Sequence, residues 1–292
     1  MKYCRLCNSK NIIKSFLSPD THGRHLNNNN CYQMYYCNSC TAFFLGKEET
    51  KSNYFSLSYP PNYYSTSSFF SKFIMSIFGL FSQKKHLIIS RHFSKKTKIK
   101  ILDIGCCRGE FLNGLPSNRF KKFGVEINPQ VAKIASLSGL NIITGDINQI
   151  DFKTKKFDCI TMWHVFEHLP NPSKTIQQIS KILKPNGLLI FTVPNSNSIG
   201  FKYGHKNFFH LDSPRHLFIP NEKSLEKLLQ QSDLTKITFK NPFLEYPLDL
   251  FWSIRKSNIK YIIYPFYLIF KIFSPELLQV TATKPAKLNK TK

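Results

Sequence analysis

Residues 98–111, KIKILDIGCCRGEF, decide the fold of this chain. An apolar segment ends at Asp103, a turn containing Gly105 and Gly109 follows, and Phe111 opens a segment typical of a helix. Glycine lets the backbone of such a turn approach a ligand closely, and the first turn of a helix offers free N–H groups. A strand, a tight turn and a helix in this order predict a nucleotide-binding corner.

The segments that follow alternate between apolar strands and helices. Residues 172–183 carry apolar side chains at helical spacing and precede a helix stop at residues 184–187. Four more strands are predicted at residues 122–127, 141–147, 157–163 and 187–193. Five strands alternating with helices indicate an α/β fold with a doubly wound parallel sheet.

The turn resembles the first motif of class I S-adenosylmethionine (SAM)-dependent methyltransferases, D/E-x-G-x-G-x-G, with Cys107 in place of the middle glycine. The run EHLPNP…LKPNGLLIFTVPN resembles the central part of that superfamily. It is most similar to the branch of ubiquinone-biosynthesis O-methyltransferases and bacterial sugar- and polysaccharide-modifying enzymes. The resemblance extends from Lys98 to Pro285. It implies SAM as cofactor and a Rossmann-like sheet of seven strands, with a last antiparallel strand at residues 277–285.

Residues expected to bind SAM follow the first strands of this sheet. Glu126 lies 23 positions after Asp103, near the end of the second strand, where a carboxylate suits hydrogen bonds to two ribose hydroxyls. The resemblance implies that residues 145–147 recognise adenine and that the motif turn holds the methionine portion. The cofactor-binding residues are expected to be Asp103, Gly105, Cys107, Gly109, Glu126, Asp146, Ile147 and His164.

Candidate bases follow the fourth and fifth strands, because open α/β sheets bind ligands at the carboxyl ends of their strands. Methyl transfer needs an aligned nucleophile, and a base only if the acceptor is protonated. The expected catalytic residues are His164, His210 and His216, near Glu167, His168, His205 and Arg215. The alternative is that these residues only form ordinary hydrogen bonds within their loops. In the ubiquinone-type enzymes the Glu-His region is associated with a divalent metal, but His164 replaces an acidic residue of that pattern, which argues against a metal.

Two CxxC pairs near the N-terminus, Cys4/Cys7 and Cys37/Cys40, have the spacing of zinc knuckles. Disulfides are the alternative. The first residues, MKYCRLCNSK, lack the apolar core of a signal peptide, so a reducing compartment and zinc are expected. Four thiolates close the coordination shell, which predicts a structural ion. Alternative ligands between the pairs are Cys31, His22 and His25.

The chain is strongly basic, with 41 Lys and Arg against 17 Asp and Glu, a net charge of +24. Such a charge favours a nucleic-acid partner, because a basic protein gains affinity by neutralising the phosphates of nucleic acid. Only seven of the basic residues are arginine, the side chain suited to bidentate phosphate contacts, and the lysines are scattered. We therefore expect a solvated basic surface, with a nucleic-acid partner as the alternative.

Two apolar stretches, residues 69–81 and 261–273, are each 13 residues long and contain a lysine. A spanning helix needs about 20 apolar residues. We expect helices that pack on the catalytic domain or cover its acceptor site. The alternative is interfacial attachment, with aromatic side chains among lipid headgroups and lysines meeting anionic lipid. The expected location is cytoplasmic, with contact to the inner face of the membrane as the alternative.

The chain is expected to contain a zinc-ribbon-like module (residues 1–50), a linker and helical cover (residues 51–95), and a methyltransferase domain (residues 96–292). An aromatic helical insertion is expected at about residues 245–275. The expected function is SAM-dependent methylation of a sugar, glycan precursor or lipid-linked small molecule. The alternatives are an RNA methyltransferase and a catalytically inactive SAM-fold binding protein, the latter favoured by Cys107. The sequence does not indicate the oligomeric state.

Overall fold

The computed structural model describes residues 3–20, 31–46, 85–243 and 245–286. His22, His25, the boundary predicted near residue 50 and the apolar stretch 69–81 lie outside these ranges. The strands are β1 Ile12–Pro19, β2 Cys31–Cys37, β3 Phe43–Leu45, β4 Ile99–Ile104, β5 Phe120–Glu126, β6 Asn141–Thr144, β7 Phe157–Trp163, β8 Leu183–Pro194, β9 Phe218–Ile219, β10 Thr235–Lys240 and β11 Leu277–Thr283.

Residues 85–92 are helical, and further α-helices lie between the strands. The α-helices are α1 Glu110–Asn113, α2 Pro129–Leu137, α3 Pro172–Ile182, α4 Ile199–Gly204, α5 Glu222–Gln230, α6 Asp249–Ile254, α7 Lys260–Ile263 and α8 Tyr267–Phe273. Short 3-10 helices occupy Phe166–His168, His205–Asn207 and Tyr264–Phe266.

Seven strands form the central sheet in the order β10-β11-β8-β7-β4-β5-β6. The pairs from β8 to β6 are parallel, and β11 pairs antiparallel with both β8 and β10. Every residue of β7 except Trp163 is buried, as expected of a central parallel strand covered on both faces. The predicted α/β architecture and its antiparallel last strand are confirmed.

Several strand boundaries differ from the prediction: β5 begins at Phe120, β6 ends at Thr144, and the largest difference is at the start of β8. The helix stop expected at residues 184–187 belongs to β8, because α3 ends at Ile182 and Leu183 already pairs with Phe157. The register between β7 and β8 shifts after Phe157, as in a β-bulge, which accommodates Pro185. The Lys284 ammonium donates to the Leu183 carbonyl oxygen over 3.1 Å and so holds the start of the strand.

The N-terminal segment forms a second sheet in the order β1-β2-β3-β9. Its last strand, β9, comes from the loop that follows β8 and pairs antiparallel with β3. The Asn221 amide, at the N-cap of α5, donates to the Thr41 carbonyl oxygen over 2.8 Å. The cysteine-bearing segment is therefore attached to the central domain by backbone pairing and by a buried side chain.

Helices α6–α8 and the short helix between them lie between β10 and β11, in the segment where an aromatic insertion is expected. Their inner side chains Leu250, Ile254 and Ile263 form a small core of their own. Among the described residues, no helix has the length and apolar character needed to cross a membrane.

Candidate active site

The turn after β4 has an unusual backbone. Gly105, Cys107 and Gly109 have φ angles of 69°, 49° and 83°, in the left-handed region that favours glycine. A Cβ atom at Gly105 would lie 2.5 Å from the Val165 side chain, so the turn packs tightly against the segment that follows β7. Cys107 holds a strained conformation at the position where the related motif has glycine.

Glu126 connects this turn to the next loop. Its carboxylate accepts hydrogen bonds from the backbone N–H groups of Cys107 (3.1 Å, to Oε2) and Asn128 (2.9 Å, to Oε1). Burial raises the pKa of the carboxyl, and these backbone donors oppose the rise. Each oxygen keeps a further lone pair, so the carboxylate fits two ribose hydroxyls.

Asp103, Asp146 and Ile147 border the same edge of the sheet. The Thr161 hydroxyl donates to Asp103 over 2.6 Å, and burial raises the pKa of this aspartate to about 7. Asp146 accepts from the Asn148 backbone N–H over 2.9 Å, and Ile147 is buried. The Gly145 N–H donates to the Glu126 carbonyl oxygen, which places the predicted adenine and ribose residues on adjacent strand ends.

His164 follows β7 with a φ of 54° and lies in a charged group that sequence reasoning did not find. Its Nε2 lies 3.0 Å from Glu245 Oε2, and the other oxygen of Glu245 lies 2.9 Å from the Lys85 ammonium. Burial alone raises the pKa of Glu245, but the hydrogen bond to His164 and the charge of Lys85 lower it to about 2. Because Glu245 is ionised, His164 carries its hydrogen on Nε2.

His210 lies near His164 but has its own partner. Its Nε2 lies 3.0 Å from Asp249 Oδ2, and Asp249 also forms a short ion pair with Lys271. Burial lowers the pKa of His210, and Asp249 opposes this effect. The ring of Tyr246 contacts both histidines edge-on, with centroids 5.6 Å from His164 and 5.1 Å from His210.

Glu167, His168 and His216 form a second cluster beside His164, whose Nδ1 lies 3.8 Å from Glu167 Oε1. One potential ligand atom from each lies within 4.8 Å of the other two. Burial raises the pKa of Glu167 to about 7 and lowers that of His168 to about 3 and that of His216 well below its ordinary value. His205 does not join this group: it is exposed and its ring lies 6.3 Å from Phe16 of β1.

The four N-terminal cysteines come together. The Sγ atoms of Cys4 and Cys40 lie 3.6 Å apart, as do those of Cys7 and Cys37, and all four lie within 4.8 Å of one another. Four thiolates about 2.3 Å from a tetrahedral zinc ion stand about 3.8 Å apart, so the donor set fits zinc. The four thiols form no disulfide, because their Sγ–Sγ distances of 3.6 Å are well beyond the length of a disulfide bond.

The residue after each CxxC pair has a left-handed backbone although it is not glycine. Asn8 and Thr41 have φ angles of 57° and 62°, the conformation for which glycine is usual at this place. Their N–H groups donate to the carbonyl oxygens of Cys4 (3.0 Å) and Cys37 (2.7 Å). The knuckle turns therefore form without glycine.

A family model described as "Methyltransferase domain" matches residues 80–238, more than half of the chain. The chain belongs to this methyltransferase family. The match includes the motif turn, Glu126 and the segment from His164 to His216, and it excludes the four cysteines.

Curated relatives match about 110–120 residues of the chain. A ubiquinone biosynthesis O-methyltransferase of Paracidovorax citrulli is 26% identical over 110 residues, which is 35% of this chain and 46% of that protein. The uncharacterized protein MJ1123 of Methanocaldococcus jannaschii is 32% identical over 119 residues, 40% of this chain and 55% of that protein. The chain thus spans about half the length of the curated relatives it matches.

A solved structure supports the fold of the methyltransferase domain. A SAM-dependent methyltransferase from Archaeoglobus fulgidus superposes with a TM-score of 0.51 at 18% identity, covering 74% of this chain and all of that one. The plantazolicin methyltransferase BamL, solved with a desmethylPZN analog and SAH, gives a TM-score of 0.50 at 17% identity, covering 70% of this chain and 85% of that one. At these identities the likeness shows the fold alone.

Proposed function

We propose that this chain transfers a methyl group from SAM to a hydroxyl or amine of a sugar, a glycan precursor or a lipid-linked small molecule. The observation that carries the proposal is the position of Glu126, which accepts backbone N–H groups from both the motif turn and the loop before α2. A buried carboxylate at a strand end beside a turn with three left-handed residues is suited to a nucleoside.

The cofactor residues take the following roles in this proposal. Glu126 binds the ribose, Asp146 and Ile147 border the adenine, and the backbone from Gly105 to Gly109 approaches the methionine portion. Asp103 holds the turn by its contact with Thr161 on β7. SAM, when bound, supplies a methyl group on a cationic sulfur, and the chain must place the nucleophile in line with it.

We propose His164 as the base. Glu245 holds the Nε2–H of the imidazole, so the lone pair is on Nδ1, which accepts a proton from the acceptor. A carboxylate behind the ring fixes the tautomer and stabilises the imidazolium that forms. His210 and His216 face Asp249 and Glu167 respectively, and in this proposal they shape the acceptor side.

We propose that residues 1–50 form a zinc-bound module in front of the domain at 96–292. Cys4, Cys7, Cys37 and Cys40 hold the ion, and the zinc is structural because the protein fills all four positions. The support is the mutual approach of the four sulfurs. The pairing of β3 with β9 connects the module to the loop that carries His210 and His216.

A lipid-linked acceptor is favoured by an exposed apolar surface, which we call the aromatic surface. Arg255 stacks on Trp252 and Lys260 on Tyr261 within it, each 5.1 Å from the ring centroid. Aromatic rings mixed with cations suit the headgroup region of anionic lipid. The members of the surface are Leu248, Phe251, Trp252, Tyr261, Ile262, Phe266, Leu268, Ile269, Ile272 and Phe273.

The direct test is an acceptor screen with methyl-labelled SAM. We expect label in a lipid or glycan fraction of a cell extract, and flotation of the protein with vesicles containing phosphatidylglycerol but not with phosphatidylcholine alone. A double variant, Trp252→Ser with Phe273→Ser, should lose flotation and keep SAM binding. If the label entered only RNA, the acceptor would be RNA and not a lipid or glycan. Failure to bind SAM in calorimetry would contradict the proposed methyltransferase activity itself.

A further inference from the structure

A cavity of about 340 Å³ lies where three segments of the chain meet. Its walls come from β1, from the end of α4 with the 3-10 helix that follows, and from the turn between α6 and α7. The volume is within the range of small-molecule sites, about 300–1,000 Å³. None of the cofactor residues proposed above is among the described residues that line the cavity, so it is separate from the SAM site.

Close packing positions the walls of this cavity. A Cβ atom at Gly204 would lie 2.5 Å from the Ser253 carbonyl oxygen, so the end of α4 lies directly against α6. On the β1 side, the Phe16 ring lies 6.3 Å from the His205 ring and 6.2 Å from the ring of Phe201, which is buried. The fold therefore sets the shape of the cavity before a ligand binds.

The charge of the cavity is positive. Lys206 and Lys256 line it, and the nine described residues of its lining include no Asp or Glu. Both lysines are exposed, and neither ammonium group has a hydrogen-bond or ion-pair partner within the described part of the chain. A cleft lined by charge of one sign concentrates ligands of the opposite sign, so the cavity favours an anion.

Two neutral side chains add hydrogen-bond donors. Asn207 and Ser257 are half-buried and line the cavity, and their side chains have no hydrogen-bond partner among the described residues. Asn207 follows Lys206 and Ser257 follows Lys256, so each of the two segments supplies one ammonium group and one neutral donor. Four donor groups suit the several oxygens of a phosphate better than the two of a carboxylate.

The remaining lining is apolar or aromatic and borders the aromatic surface. Leu17 and Tyr203 line the cavity, and Arg255, the neighbour of Lys256 in the chain, stacks on Trp252 of the aromatic surface at 5.1 Å. Aromatic side chains that meet a membrane lie at the level of the lipid headgroups. A phosphate in the cavity would lie next to that level.

We propose that this cavity binds the phosphate group of an amphiphilic ligand, with Lys206 and Lys256 neutralising its charge. The inference rests on the proposed function in one respect, since it assigns the phosphate to a lipid-linked acceptor. The loop that lines the cavity continues to His210, and the Tyr246 ring lies 5.1 Å from His210 and 5.6 Å from His164, the proposed base. Phosphate binding is measured without SAM, so either proposal can fail while the other holds.

The test is calorimetry of the full chain with dihexanoyl phosphatidic acid, below the concentration at which this lipid forms micelles. We expect it to bind, and dihexanoyl glycerol, which lacks the phosphate, not to bind. Lys206→Gln combined with Lys256→Gln should weaken binding about 10-fold or more, because two charge-assisted contacts are lost. The matched control, Lys223→Gln with Lys227→Gln, removes two exposed lysines of α5 and should bind as the parent does.

A second pair of variants tests the position of the site. Leu17→Glu adds a carboxylate to the cavity and Ile13→Glu adds one elsewhere on β1, where the two residues are 57% and 52% exposed, so both variants should fold. We expect only Leu17→Glu to lose phosphatidic acid binding, and SAM affinity to stay unchanged in both.

Inorganic phosphate distinguishes the two sources of the group. Weaker binding of inorganic phosphate than of phosphatidic acid supports a lipid source. Equal affinity, with the same loss in the double variant of Lys206 and Lys256, supports the phosphate site and replaces the lipid by a soluble phosphate compound. A parent chain that binds neither probe, or phosphatidic acid binding that is unchanged in the double variant and in Leu17→Glu, would overturn the proposal. A parent chain that binds phosphatidic acid but not SAM would contradict the proposed function alone.

Discussion

His164 Nε2 and Glu245 Oε2 lie 3.0 Å apart although 81 positions separate the two residues in the chain. His164 follows β7 and Glu245 opens the helical insertion, so the insertion supplies part of the charged group next to the motif turn. Lys85, ahead of β4, completes it from a third segment. We expect this charged group to affect both turnover and the free energy of unfolding, and the two effects can be measured separately.

Removing the proposed base should affect turnover more than cofactor affinity. We expect His164→Gln to lower kcat about 100-fold and Glu245→Gln to lower it about 10-fold, because the second change removes only the group that holds the ring. SAM affinity, measured by calorimetry, should stay within about twofold of the parent. His210→Gln is the comparison, since its partner is Asp249 and not Glu245. A collapse of SAM affinity in His164→Gln would place this histidine in the cofactor site instead.

Glu245 should also make stability depend on pH. Its pKa is lowered from 4.5 to about 2 in the folded chain, so its contribution is complete above about pH 4.5 and is lost as the pH falls toward 2. The loss is at most about 3 kcal/mol of the free energy of unfolding. Urea unfolding at a series of pH values should show a shallower acid limb for Glu245→Gln than for the parent. Glu226→Gln, at an exposed position, should leave the limb unchanged. Identical limbs in all three chains would contradict the ion-paired Glu245.

Glu126 should be required for cofactor binding. Glu126→Ala should weaken SAM binding by about 2 kcal/mol or more, roughly 30-fold, because a charge-assisted contact to the ribose is removed. The change also frees the N–H groups of Cys107 and Asn128, so the unfolding temperature should fall as well. Glu226→Ala serves as the exposed control. Unchanged SAM affinity in Glu126→Ala would mean that the strand register assigned to the ribose is wrong.

The four-cysteine cluster predicts that Cys37 is required for zinc binding and that Cys31 is not. Cys37→Ser should abolish zinc binding at the N-terminal module, whereas Cys31→Ser, at an exposed position of β2, should retain it. Elemental analysis of both variants checks this. Chelation should unfold the module and leave the helical signal of the central domain largely intact. Full zinc occupancy in Cys37→Ser would exclude the four-cysteine set.

The sequence predicts the sheet well because its signals are local. The apolar run of β7 has the same ends in the prediction and in the structure, and the spacing from Asp103 to Glu126 follows from one strand-helix-strand unit. The charged partners of the histidines are not predictable in this way. Glu245 and Asp249 reach His164 and His210 only through tertiary packing of an insertion, and no periodicity or motif connects them. The start of β8 is missed for a similar reason. Lys-Pro-Asn-Gly has turn composition, and it joins the strand only through the pairing of Leu183 with Phe157 and the backbone hydrogen bonds of Asn186 and Gly187 with Lys284.

Cys107 offers the sharpest test of the motif turn. Its φ of 49° is costly for a residue with a Cβ atom, so Cys107→Gly relieves strain while adding chain entropy to the unfolded state. We expect SAM affinity to be equal or higher and the free energy of unfolding to change by no more than about 1 kcal/mol. The matched control is Cys106→Gly: Cys106 is buried, its φ is not positive and its side chain packs over Gly124, so the change should destabilise the fold through a cavity. Calorimetry with SAM and thermal unfolding of both variants give the comparison. A large loss of SAM binding in Cys107→Gly alone would show that the thiol itself contributes to the site.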